Sequence, residues 1–287
     1  MSEKGRETSD FTRRTALERA AGFTVIGAAA AFAVASSSTS AAAAVADAVG
    51  TEATEPGGPG TSSPSPSSSP EPGDGLPNVV AGVRVPDTEL ARAATAFARE
   101  ACSETLFNHV MRTYLFGSLM FDRRGVRYDR ELAFVAALLH DLGLVKAYQT
   151  PHERFEVDGA DAARTFLRKR HMPAGRADVV WDAIALHTNV GIATRKRPEI
   201  GIVAIGSGLD FTGNDLEKIP SDALAEILAA FPRAGFRQDA VDNMLALCRT
   251  KPMSVLMHPF AEVGRRHLPD FPVPTVEDLL LAAPFGE

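Results

Sequence analysis

The chain has 287 residues, 45% of them hydrophobic and 23% charged, enough apolar content to bury a sizeable core in one or two domains and too much for a fibrous or wholly disordered class. Thirty Lys and Arg stand against 36 Asp and Glu, giving a net charge of −6 with no long basic run. A nucleic-acid backbone is therefore not an expected partner, and acidity alone names no substrate.

The N-terminal 75 residues hold most of the low-complexity content. Arg13-Arg14 precede an uncharged, Ala-rich stretch over residues 20–45 that includes Phe23, Ile26 and Phe32. A positive region followed by a mildly apolar one reads as an export signal. It resembles a bacterial twin-arginine signal, with Ala16 where that motif favours Phe. Ala44-Val45-Ala46 is a small-x-small cleavage site, so the expected signal is 1–46 and the expected location is periplasmic, cell-surface or extracellular. Ser36 to Ser40 interrupt the apolar run, which disfavours a retained membrane span. Residues 47–77 are mostly Gly, Pro, Ser, Thr and small or acidic residues, too polar to offset their ordering entropy, and read as a disordered linker.

From residue 78 to 287 the apolar residues recur with a 3.6-residue period and almost no alternation, which predicts an all-α domain. Pro86-Asp87-Thr88-Glu89 opens one helix, and Ser103-Glu104 opens the next, which carries His109 among apolar neighbours. A strongly apolar helix starts at Tyr128-Asp129-Arg130-Glu131 and ends on His140-Asp141, just before Gly143. Further helical patterns cover 155–170, 173–187, 198–210, 220–231, 238–249, 254–267 and 275–283. Cys102 and Cys248 lack metal-type spacing and are expected as two free thiols, although an oxidising destination would permit a bridge.

A carboxylate beside an imidazole at the buried end of an apolar helix is costly unless something compensates, and a divalent cation would. His140 and Asp141 point about 100° apart, so they can approach one ion together only near the helix end, where they lie. His109 and Asp210 each fall on another predicted helix.

His109, His140-Asp141 and Asp210 resemble the H…HD…D metal signature of the HD-domain superfamily. Asn108-His109, Leu138-Leu139-His140-Asp141-Leu142-Gly143, Arg154-Phe155-Glu156-Val157-Asp158-Gly159, Ala183-Ile184-Ala185-Leu186-His187-Thr188 and Gly208-Leu209-Asp210 look like its cyanamide hydratase branch. The resemblance implies an HD-domain helical bundle and a metal-dependent hydro-lyase or hydrolase. It implies His109, His140, Asp141 and Asp210 as ligands of one transition metal, Zn first, with Fe or Mn also suited to a mixed N/O donor set. The ion would activate water for attack on a nitrile-like carbon, with Glu156, or else Asp158, carrying the proton to nitrogen. His187, Thr188 and Asn189 would contact substrate. His152 and His187 are the candidates for a second metal site, which is not favoured, and His171, His258 and His267 receive no role. Leu144 stands where many phosphohydrolase branches have Lys, but a phosphohydrolase of a nucleotide or small phosphate ester remains the alternative, with a non-catalytic exported binding protein as a third.

Overall fold

A computed structural model of the chain describes residues 75–285. The expected signal, and the expected linker up to residue 74, lie outside the described residues. Among the described residues the fold is all-α, with eleven α-helices and one short hairpin. In the hairpin, β1 (Val79–Val80) pairs antiparallel with β2 (Val83–Arg84). Ala81 and Gly82 make the turn at positive φ, the geometry that matches the twist of the flanking strands.

Side-chain caps set the first helices. Thr88 accepts from Ala91 N at the start of α1 (Glu89–Ala101), and Ser103 accepts from Leu106 N at the start of α2 (Glu104–Asp122). Asp129 accepts from Leu132 N before α3 (Arg130–Leu139). Each satisfies a backbone donor that the first turn leaves open. Residues 132–139 of α3 are all buried, so this is the central helix of the bundle. Two 3₁₀ turns (Leu142–Leu144 and Lys146–Tyr148) lead to α4 (Phe155–Arg168), α5 (Ala174–Ala185) and α6 (Val190–Ala193). α7 (Pro198–Thr212) starts on proline and stops at left-handed Gly213. A 3₁₀ turn (Leu216–Lys218), α8 (Ser221–Ala230), α9 (Phe236–Thr250), a 3₁₀ turn (Pro252–Val255), α10 (Phe260–His267) and α11 (Val276–Leu281) follow. The expected single helix over 254–267 is two elements. Met257 sits at positive φ and Pro259 lacks the N–H needed to continue a helix, so the chain turns before α10.

Close backbone contacts fix the helices that carry the site. A Cβ on Gly206 of α7 would lie 1.9 Å from the Thr113 carbonyl oxygen of α2, and one on Gly117 of α2 would lie 2.3 Å from the Ile202 carbonyl oxygen. Only glycine lets the two helices approach so closely. Gly143 plays the same part after the His140-Asp141 pair, where a Cβ would lie 1.8 Å from the Phe155 carbonyl oxygen. The main apolar core joins the hairpin and helices α1 to α8. A second, smaller core gathers Leu247, Cys248, Val255, Ala261 and Val273 around Phe155, so the C-terminal elements pack on the start of α4. Cys102 and Cys248 are both free. No helix among the described residues is long and apolar enough to cross a membrane.

Candidate metal centre

Two helices deliver one cluster. His109 projects from α2, while His140 and Asp141 follow the last turn of α3. One ligand atom from each of the three lies within 4.8 Å of the other two, and all three residues are buried. Nε2 of His109 is 3.4 Å from Asp141 Oδ2, and Nε2 of His140 is 3.3 Å from the same oxygen. His187, just past α5, brings a third Nε2 to 3.7 Å from the other oxygen, Oδ1.

The second nitrogen of each ring determines what these contacts are. His140 Nδ1 lies 2.7 Å from the Ala137 carbonyl, and His187 Nδ1 lies 2.7 Å from the Ile184 carbonyl. A carbonyl only accepts, so Nδ1 carries the proton in both rings and Nε2 of the neutral ring presents a lone pair. Burial, and then a neighbouring imidazole, lower the pKa of His140 to about 3 and of His187 to about 4, which keeps both rings neutral near pH 7. His109 Nδ1 is 2.7 Å from Asp210 Oδ2, which turns its Nε2 towards Asp141. Lone pairs therefore face a carboxylate, and His140 Nε2 is fully buried without a hydrogen-bond partner. Burial pushes the Asp141 carboxyl up, against the pull of His109 and His187. A cation among His109, His140 and Asp141 turns this set of opposed acceptors into ligands, so the donor set fits a divalent metal. The Nδ1 contacts are the backing partners that orient metal-binding imidazoles.

Asp210, the expected fourth ligand, meets His109 and two arginines. It is fully buried on α7, behind His109. Its Oδ1 accepts from Arg112 Nε at 2.8 Å and Arg233 at 2.9 Å, while its Oδ2 accepts from Arg112 at 2.9 Å and meets His109 Nδ1. Burial opposes ionisation, but the bonds from His109 and Arg112 outweigh it and bring the carboxyl down to about 2. In this geometry Asp210 orients His109 and is neutralised by two guanidinium groups.

Glu156, the expected proton carrier, lies in the first turn of α4. It is 1% exposed, and its Oε1 accepts from Thr188 Oγ1 at 2.6 Å, from Arg154 at 2.6 Å and from His258 Nε2 at 3.0 Å. Despite its burial these bonds hold its carboxyl well below the usual range. A carboxylate with these partners is held in one orientation. Asp158 points to another neighbourhood, pairing with buried Lys251 and accepting from Thr150 Oγ1 at 2.6 Å. Asn189 donates to Thr188 Oγ1 at 3.2 Å.

Sequence reasoning missed His258, which bonds Glu156 across 102 positions and accepts from Phe260 N at 3.1 Å. It also missed Arg112 and Arg233. A basic residue one turn beyond His109 on the same helix was the available signal for Arg112; nothing local marked His258 or Arg233.

A cavity of about 310 Å³ opens beside the cluster, with His109, Asp141, His187 and Thr188 on its wall. The rings of Phe155, Phe211, Phe236 and Phe260 supply much of the rest. Among the described residues no Lys or Arg lines it.

No curated protein matches the chain. Residues 106–230 match the family model of the HD domain, over the helices that bring His109, His140 and Asp141 together.

Proposed function

We propose that the protein is a metal-dependent hydratase or hydrolase that adds water to a small, neutral, nitrile-like substrate, of which cyanamide is the simplest example. The observation that carries this reading is the buried cluster of His109, His140 and Asp141, of which His109 and Asp141 line an apolar cavity that no Lys or Arg lines. HD domains are in general metal-dependent hydrolases. A phosphate ester would enter that cavity without a cationic side chain to receive it, whereas phosphate sites are built from Arg, Lys and backbone donors. A neutral nitrile needs none.

His109, His140 and Asp141 would hold the ion, with Zn first by resemblance and Fe or Mn suited to the same donors. When bound, the ion supplies Lewis-acid activation of water near neutral pH. Asp210 fixes the His109 ring, and the Ala137 carbonyl fixes the His140 ring. His187 Nε2 and the Thr188 hydroxyl, both on the cavity wall, orient the substrate. Glu156 acts one step back, holding Thr188 and His258 in place. The apolar rings keep bulk water from competing with substrate.

We further propose that the protein is exported, on the support of Arg13-Arg14 and Ala44-Val45-Ala46. N-terminal sequencing of the mature protein should begin at Asp47, and an intact Met1 on secreted or cell-associated material overturns it.

The test of function is elemental analysis of the purified protein, followed by urea and ammonia assays on cyanamide and simple nitriles and by a phosphate-ester panel. About one transition metal per chain with hydration products is the expected result. Metal with phosphate release alone makes the protein a phosphohydrolase. Protein that takes up no divalent metal sinks both catalytic readings.

A further inference from the structure

The matched HD segment ends at residue 230, yet a large part of the cavity wall comes from beyond it, from α9 and from the segment entering α10. This wall contributes Phe236, Met244 and Phe260 and, facing the same space, Asp239 and Asn243. The metal-binding residues of the cavity wall thus belong to the matched segment, while the C-terminal helices supply much of the rest, with Phe236 stacked on the His109 ring.

Asp239 has an unusual position for a carboxylate. It is half-buried in the cavity wall, and among the described residues no Lys or Arg pairs with it. Its one side-chain bond accepts from Asn243 Nδ2 at 3.0 Å, one helical turn on, which fixes the carboxylate without neutralising it. Asp242, three positions on along α9, adds a like charge rather than a partner. A place in the first turn of α9 explains why a carboxylate is tolerated there. It does not explain why that carboxylate lines a cavity. A half-buried anion without a partner, in an apolar pocket, is stabilised by a ligand that brings positive charge or strong N–H donors.

Size points the same way. A cavity of about 310 Å³ lies within the range that encloses organic ligands of some size, and cyanamide, with three non-hydrogen atoms, leaves most of it unfilled. The phenylalanine walls would bury an aromatic or branched apolar body.

We propose that the cavity takes an amine-bearing organic molecule with an apolar body, its amino group docked on Asp239 between Asn243 and the aromatic wall, and its reacting group directed at the His109, His140 and Asp141 cluster. This substrate class rests on the metal-dependent hydratase reading for its reacting group, and on Asp239 alone for its preference in charge.

Binding of 4-(aminomethyl)benzonitrile, benzonitrile, 4-cyanobenzoate and cyanamide to the zinc-supplemented full chain, measured by calorimetry and thermal shift, tests it. The amine should bind at least tenfold tighter than neutral benzonitrile, and 4-cyanobenzoate should bind weakest. Asp239→Asn should remove the advantage of the amine while leaving metal content and benzonitrile binding as in the wild type. Asp239→Lys should reverse the preference towards the carboxylate. Equal affinity for amine and carboxylate in the wild type, no binding of any aromatic probe, or an unchanged preference in both variants overturns the proposal. An amine preference in protein that binds no metal defeats the hydratase reading and leaves the Asp239 site standing. Metal and cyanamide turnover without the preference do the reverse.

Discussion

At the scale of single residues, His140 decides whether an ion is held. Its Nδ1 is committed to the Ala137 carbonyl, and its Nε2 is buried without a partner, beside the Asp141 carboxylate. His140→Ala removes one of three ligands and should lower metal content by at least tenfold, as read by elemental analysis after equilibrium dialysis. It should also abolish most of the thermal stabilisation that added zinc gives the wild type, since a ligand of the folded state stabilises only in proportion to its affinity. Wild-type metal content in this variant would rule out His140 as a ligand. Asp210 should behave otherwise, because its oxygens are occupied by Arg112, Arg233 and His109. Asp210→Asn leaves the fully buried Arg112 guanidinium facing a neutral amide, and removing one partner of a buried ion pair costs about 3–5 kcal/mol. Urea denaturation of metal-free protein checks it: a loss of that size without metal identifies Asp210 as a positioning residue, whereas a stability loss confined to the metal-loaded protein identifies it as a ligand.

At the scale of elements, the α2–α7 contact sets the distance between His109 and Asp210. Gly206→Ala forces a Cβ against the Thr113 carbonyl and should destabilise the fold by about 3 kcal/mol, the upper part of the overpacking range. A urea midpoint within error of the wild type would show that the helices can separate freely. The start of α7 is tied to the start of α3 by buried Glu199, which accepts from Asp129 N at 2.8 Å and pairs with Arg197 at 3.1 Å. Burial opposes its charge, but these bonds hold its carboxyl below the usual range. A depressed carboxyl adds stability above its unfolded pKa and loses that contribution as pH falls through the folded one. The stability difference between wild type and Glu199→Gln should therefore shrink between pH 7 and pH 3, and a constant difference would show that its charge adds nothing. Such elements were largely legible in the chain: Thr88, Ser103 and Asp129 cap the helices that their sequences announce, and the His140-Asp141 pair marks a helix end. The break around Met257 and Pro259 was hidden, because the apolar period runs through a point where backbone conformation overrides it. The partners of Glu156, Asp158 and Asp210 were hidden too, since helical periodicity shows which face is buried and not what a face 93 to 102 positions away will bring to it.

At the scale of the whole helical unit, the contacts between the matched segment and the C-terminal helices include a small apolar core and two buried polar links, Glu156 with His258 and Asp158 with Lys251. The second link is chemically separable from the cavity, because Lys251 also donates to the Thr150 carbonyl at 3.2 Å and reaches no cavity-lining side chain. A buried ion pair is weak as a source of net stability, since desolvation of both charges offsets their attraction, but breaking it from one side strands the other charge. Lys251→Met should therefore cost about 3–5 kcal/mol, while Lys251→Met with Asp158→Leu should recover most of that loss. The cavity wall around His258 and Phe260 follows directly after Lys251 and the 3₁₀ turn. The single variant should accordingly bind the aromatic nitrile probes more weakly, and the double variant should bind them as the wild type does. If both variants are equally unstable, Asp158 and Lys251 contribute as a net-stabilising pair; if neither loses stability, the C-terminal wall is held by its apolar core alone.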